Sequence, residues 1–151
     1  MPPFWIGAGA ACNLRGMSDD NKVRHAACSC GALRVTVTGE PVRISICHCL
    51  ECQKRTGSLF GAQARWPRAQ TVIEGASTAW SRTGDDGGTA TFHFCPVCGS
   101  TVWYAIKDQP DVIAVATGAF ADPDFPMPKV SVYEDRKHRW LQLPDAMEHM
   151  D

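Results

Sequence analysis

Cys47-His48-Cys49-Leu50-Glu51-Cys52 sets three thiols within six residues, directly after the apolar run Val42 to Ile46. In an extended strand alternate side chains share a face, so Cys47 and Cys49 are expected to point one way and His48 the other. A turn after Leu50 would bring Cys52 round to join them. Three thiolates can hold one soft metal ion and leave a fourth position free. For zinc that is the reactive arrangement, whereas four protein ligands make a closed structural site.

Working outward, the chain alternates between apolar and polar residues with period two. Leu33, Val35 and Val37 alternate with Arg34, Thr36 and Thr38, a half-buried strand that ends at Gly39-Glu40-Pro41. Val42, Ile44 and Ile46 lead into the cysteines. Gln53 to Gly57 fits a single helical turn stopped by the glycine, which would place Cys52 near a helix N-terminus. Further strands are expected at Leu59–Trp66, at Val72–Gly75 and Thr78–Arg82 around a turn, and at Thr89–Phe94, Thr101–Ile106, Asp111–Thr117 and Val130–Tyr133. Asp85-Asp86-Gly87-Gly88 is turn chemistry, and Trp140 is expected to anchor the tail. No long segment has a helical period. The class is all-β, a folded sandwich of short antiparallel strands.

The eight cysteines fall as Cys12 alone, Cys28-x-Cys30, the central three, and Cys95-x-x-Cys98. Pairs one or two residues apart make poor disulfides and good chelates. Cys95-Pro96-Val97-Cys98-Gly99 is a zinc knuckle by composition, and it needs two more ligands. Cys28 and Cys30 are the obvious donors, giving an inert four-sulfur site. A single site with spare cysteines and an iron–sulfur centre are the alternatives. Cys12 has no partner cluster.

The 151 residues suit one domain, here residues 22–151, and carry a net charge of -1. Lys and Arg are spread out, so no basic footprint for nucleic acid forms. No apolar stretch approaches the roughly 20 residues of a membrane helix. Clustered reduced thiols point to a cytoplasmic setting. Residues 1–21 are expected to be an extended or disordered segment, with Met17-Ser18-Asp19-Asp20 resembling an alternative start.

Cys28-Ser29-Cys30-Gly31, then Cys47-His48-Cys49-x-x-Cys52 with Gly57, then Phe94-Cys95-x-x-Cys98-Gly99-Ser100 resembles the glutathione-dependent formaldehyde-activating enzyme family, which includes the centromere protein V domain, over residues 22–143. The resemblance implies an Mss4-like fold with two Zn2+ ions. Cys28, Cys30, Cys95 and Cys98 would hold the structural one, and Cys47, Cys49 and Cys52 the catalytic one. It also implies a carbon–sulfur lyase reaction, with a small thiol such as glutathione and a small aldehyde as partners. A zinc-binding β-module that recognises protein without catalysis is the rival.

A three-thiolate zinc site carries a charge of about -1, and an incoming anionic thiolate would be repelled unless cations stood near. Lys54 and Arg55, just beyond Cys52, are the candidate contacts to substrate carboxylates; an ordinary solvated pair is the bland reading. His48 and His93 alternate away from their neighbours and read as core or surface residues. Phe60, Trp66 and Trp103 could line a pocket but are more ordinary as core. Asp85 and Asp86 are turn residues before they are a carboxylate pair.

Overall fold

The computed structural model describes residues 19–151, so the expectations for Cys12, Met17 and most of the N-terminal segment lie outside the described residues. Its last three residues, Asp19–Asn21, form a turn of 3-10 helix rather than extended chain. Eleven strands follow: β1 (Val23–Ala27), β2 (Arg34–Thr38), β3 (Arg43–Cys47), β4 (Gly61–Pro67), β5 (Thr71–Glu74), β6 (Thr78–Thr83), β7 (Thr89–Phe94), β8 (Thr101–Ile106), β9 (Gln109–Ala116), β10 (Val130–Val132) and β11 (Glu148–His149). One α-helix, α1 (Leu50–Thr56), is present among the described residues.

The strands make two sheets, β1-β2-β5 and β11-β10-β3-β4-β9-β8-β7-β6. Alternation explains how they stack. Leu33, Val35 and Val37 are fully buried on one face of the small sheet. They meet Ile44, Ala64, Trp66, Val102, Ile113 and Val115 from one face of the large sheet. The Trp66 indole N–H donates to the carbonyl of Gly39 at 3.0 Å, so the largest core side chain has its polar atom satisfied. Arg24 is also buried, with its guanidinium on both Glu40 carboxylate oxygens at 2.8 and 3.0 Å.

The other face of the large sheet is left uncovered by the small sheet. Register fixes what it displays. Cys47 pairs with Gly61, Ser45 with Gln63 and Arg43 with Arg65 across β3 and β4. Tyr104 pairs with Phe92 across β8 and β7. These side chains form the floor of a cleft.

The two strands expected around the Gly75 turn are present and belong to different sheets: β5 joins β2 in the small sheet and β6 joins β7 in the large one. Two expectations need correction. The strands are not all antiparallel, because β10 runs parallel to both β3 and β11. Trp140 does not anchor the tail, since it is 70% exposed. The tail is held instead by β11, where the backbone N–H groups of Glu148 and Met150 donate to Lys129 and Ser131.

Candidate metal centre

Cys47 ends β3 on the cleft face, and its cross-strand neighbour Gly61 has no side chain to cover it. The chain then turns into α1. Cys49 is the helix N-cap, and its sulfur accepts the backbone N–H of Cys52 at 3.3 Å. A cysteine sulfur thus does the work of the usual Ser or Asp cap. Cys52 lies in the first turn, so the helix begins at Leu50 and runs seven residues rather than the single turn expected after Cys52. Gly57, at φ 66, ends it as expected. The three sulfurs lie within 4.8 Å of one another.

His48, between two of them, points to the opposite side. It is fully buried, with Nε2 3.1 Å from the Ser131 hydroxyl and its ring edge-on to Phe60. Hydrogen bonding from Cys47 is the main influence lowering the Cys52 thiol to about 5; burial opposes it, and the Arg55 charge assists. The same contact pushes Cys47 upward. Crowded thiols therefore divide their protons unequally, and one of the three ionises readily.

The second cluster is built from two facing turns. Cys28 and Cys30 lie between β1 and β2, and Cys95 and Cys98 between β7 and β8. Each turn closes the same way: Gly31 N–H donates to the Cys28 carbonyl and Gly99 N–H to the Cys95 carbonyl, both at 2.9 Å. Those glycines have φ 79 and 77, a left-handed conformation that a side chain would strain. The hydroxyls of Ser29 and Ser100 meet at 2.8 Å across the turns. Backbone N–H groups of Leu33 and Val97 point at the sulfurs of Cys28 and Cys95 at 3.2 and 3.4 Å.

Both donor sets fit a soft metal ion. Cys30 Sγ lies 3.6 Å from Cys28 Sγ and from Cys95 Sγ. A disulfide would need about 2.05 Å, whereas a tetrahedron of sulfurs at about 2.3 Å from zinc has an edge of about 3.8 Å. The seven described cysteines are all free thiols. The set of four joins the small sheet to the β7–β8 hairpin of the large one. The set of three has no fourth His, Cys, Asp or Glu ligand within reach among the described residues.

The trio opens into a cleft of about 480 Å³. Of the two cations expected there, Arg55 lines it and Lys54 does not; Lys54 is exposed and paired with Glu51 at 2.9 Å. The Arg55 guanidinium stacks on the Phe92 ring at 4.4 Å. Asp85 and Asp86 sit in the β6–β7 turn and reach the cleft mouth, where Asp85 pairs with Arg136 at 2.7 Å. Trp66 and Trp103 are core, the latter stacked on His93 at 3.7 Å, and neither lines the cleft.

The expectations missed Arg43, Arg65, Arg82 and Tyr104, all of which line it. A period-two reading back from Cys47 reaches Ser45 and Arg43 on its face, so that one was within reach. Arg65 and Tyr104 needed the strand register. Burial pushes the Tyr104 phenol up to about 12, so it keeps its proton.

A two-sheet β-protein with one four-sulfur cluster between sheets and one three-sulfur cluster opening on a cleft defines the class: a β-protein with paired cysteine clusters that could each hold a metal ion. A family model described as glutathione-dependent formaldehyde-activating enzyme matches residues 23–136, and the chain belongs to that family. A crystal structure of a Rhodobacter sphaeroides protein, a structural-genomics target, is similar at 22% identity and a TM-score of 0.51, covering 66% of this chain and 91% of that one. That likeness concerns the fold. No curated protein matches.

Proposed function

We propose that this protein is a zinc-dependent carbon–sulfur lyase that forms or cleaves adducts between a small thiol and a small aldehyde. Glutathione and formaldehyde are the pair named in the family's description. The observation that carries the reading is the trio Cys47, Cys49 and Cys52, gathered on the floor of a cleft with no fourth protein ligand among the described residues. A fourth ligand folded over the trio would have favoured the non-catalytic module. In this reading Cys28, Cys30, Cys95 and Cys98 hold a second, structural zinc.

Zinc held by three thiolates would supply a position where a substrate thiol loses its proton, or where a carbonyl oxygen is polarised. The chain's residues supply the rest. In the forward direction a sulfur–carbon bond forms, the carbonyl π bond breaks, and the thiol proton ends on the new hydroxyl; nothing is oxidised. Arg55, beside Cys52, offsets the negative charge gathered there. Tyr104, which keeps its proton, offers a hydroxyl at the same face of the sheet. Phe92 lines the cleft and carries the Arg55 guanidinium on its ring face. A compartment that keeps thiols reduced suits such a site, and among the described residues no helix is long and apolar enough to cross a membrane.

Metal analysis of protein purified without chelator tests the assignment. Wild type is expected to hold about two zinc ions, and Cys49→Ser about one, with the fold retained and adduct formation abolished. Loss of the fold in Cys49→Ser would reverse the roles of the two clusters. A wild type fully loaded with zinc but inert towards thiols and aldehydes would leave the binding module as the better account.

A further inference from the structure

Four arginines line the cleft: Arg43, Arg55, Arg65 and Arg82. Among the described residues none of them has a carboxylate within 4.0 Å, whereas Arg24 and Arg136 do. The acidic side chains of the cleft are Asp85, Asp86 and Asp151. Asp85 is already engaged by Arg136, and Asp86 caps its own turn by accepting the Gly88 N–H at 2.9 Å.

Arg43 and Arg65 are the most telling. They are direct cross-strand partners on the cleft face. Like charges directly opposite on neighbouring strands repel. The Arg65 side chain makes one hydrogen bond among the described residues, a long one of 3.4 Å to Gln109. Two guanidinium forks side by side, unpaired and facing a cavity, suit the two oxygens of a planar anion. Between this pair and the cysteines lie Ser45 and Gln63, which hydrogen-bond each other at 3.0 Å and make a neutral polar bed.

The spacing sets a length. Arg43 is four residues from Cys47 along β3, about 13 Å at strand rise. In a tripeptide thiol with its cysteine in the middle, a terminal carboxylate lies one side chain and about one residue from the sulfur, roughly 7 Å at about 3.5 Å per residue, and the arginine side chains bridge the remainder. We propose that Arg43 and Arg65 anchor a carboxylate of the thiol substrate, so that the cleft selects peptide-sized, carboxylate-bearing thiols over short or neutral ones. The proposal rests on the thiol–aldehyde reading for where the sulfur sits, and it assigns the opposite end of the substrate to two specificity-determining residues.

Calorimetric binding of S-methylglutathione to the zinc-loaded protein tests it. The blocked sulfur cannot lose a proton or turn over, so binding reports the cleft and not the chemistry. Arg65→Gln and Arg43→Gln are each expected to weaken binding at least about tenfold, the scale of a lost charged hydrogen bond. The dimethyl ester of the same ligand should bind wild type correspondingly less well. Arg43 is exposed, so its variant is expected to fold even if Arg65→Gln does not. Equal affinity for acid and ester, unchanged binding in Arg43→Gln, or no binding to wild type would overturn the proposal. Adduct formation with formaldehyde, followed separately, keeps the two claims apart. The acid preference without any adduct removes the reaction and leaves the anchor; equal turnover of glutathione and its ester removes the anchor and leaves the reaction.

Discussion

Arg55 lies across the start of β4, where residue 61 is glycine. A Cβ built at Gly61 would stand 3.1 Å from Arg55 Nη2, closer than most real contacts allow. Gly61 has no left-handed backbone to protect, so alanine there should be tolerated by the fold while displacing the guanidinium from Phe92 and Cys52. Gly61→Ala is expected to keep its melting temperature within a few degrees and its full metal content, and to lose roughly tenfold in thiol–aldehyde turnover, of the order of one cation–π contact. Gly75 presents the opposite case. Its φ is 95, and a Cβ would fall 2.0 Å from the Ala32 carbonyl oxygen, which is backbone and cannot swing aside. Gly75→Ala should cost at least about 2 kcal/mol in denaturant unfolding. Gly31→Ala, with open space around the new methyl, should cost only about 1–2 kcal/mol of left-handed strain.

At the level of elements, what the sequence made legible depended on how local the signal was. β7 and β8 begin and end where alternation and the flanking turns place them, at Thr89–Phe94 and Thr101–Ile106. Their neighbours in space are neighbours in the chain, so nothing else had to be known. The two short strands around Gly75 were legible as strands but not as members of different sheets, because four apolar or β-branched residues carry no mark of their partner. β10 was legible and its parallel pairing was not, since that depends on a return of the chain across more than eighty residues to β3. The cysteine clusters were legible because chelation needs close spacing. The arginine face was only partly so, because Arg43 and Arg65 come together through register alone. The tail strand β11 adds a pH dependence of its own. Burial disfavours ionised Glu134, but hydrogen bonds from Ser131 and His149 outweigh it and hold the carboxyl below its usual 4.5. A depressed carboxyl contributes stability that is present above the unfolded value and lost as pH falls through the folded one. The His149 contact at 2.7 Å should therefore loosen as pH falls below about 4.5. Hydrogen exchange at the Met150 amide, which donates to Ser131, is expected to accelerate there before the central strands open. Glu134→Gln should show the faster exchange already at neutral pH.

For the molecule as a whole, the decisive feature is that its two sheets share one hydrophobic interface and one sulfur cluster. The interface draws only Leu33, Val35, Val37 and a few neighbours from the three-stranded sheet, a small apolar contribution for a sheet of its size. A structural zinc site contributes roughly 10–16 kcal/mol of apparent binding free energy in small peptides. Whole domains are stable by about 5–15 kcal/mol. On those scales, metal between Cys28, Cys30, Cys95 and Cys98 can decide whether the small sheet stays docked, whereas metal at the cleft cannot, because Cys47, Cys49 and Cys52 all lie on one β3–α1 segment and cross-link nothing distant. The two clusters should respond differently to the same insult. Cys98→Ser is chosen because Cys98 is exposed and leaves little void, so any large effect is due to lost ligation. It is expected to abolish the cooperative thermal transition or lower it by well over ten degrees, while Cys52→Ser, at the cleft, shifts it by a few degrees at most. Graded chelation of wild type should reproduce that order, with the open cleft site stripped first and the unfolding transition moving only when the second metal leaves. A single transition that falls in proportion to both metals would mean that the clusters are coupled and that the cleft site also supports the fold.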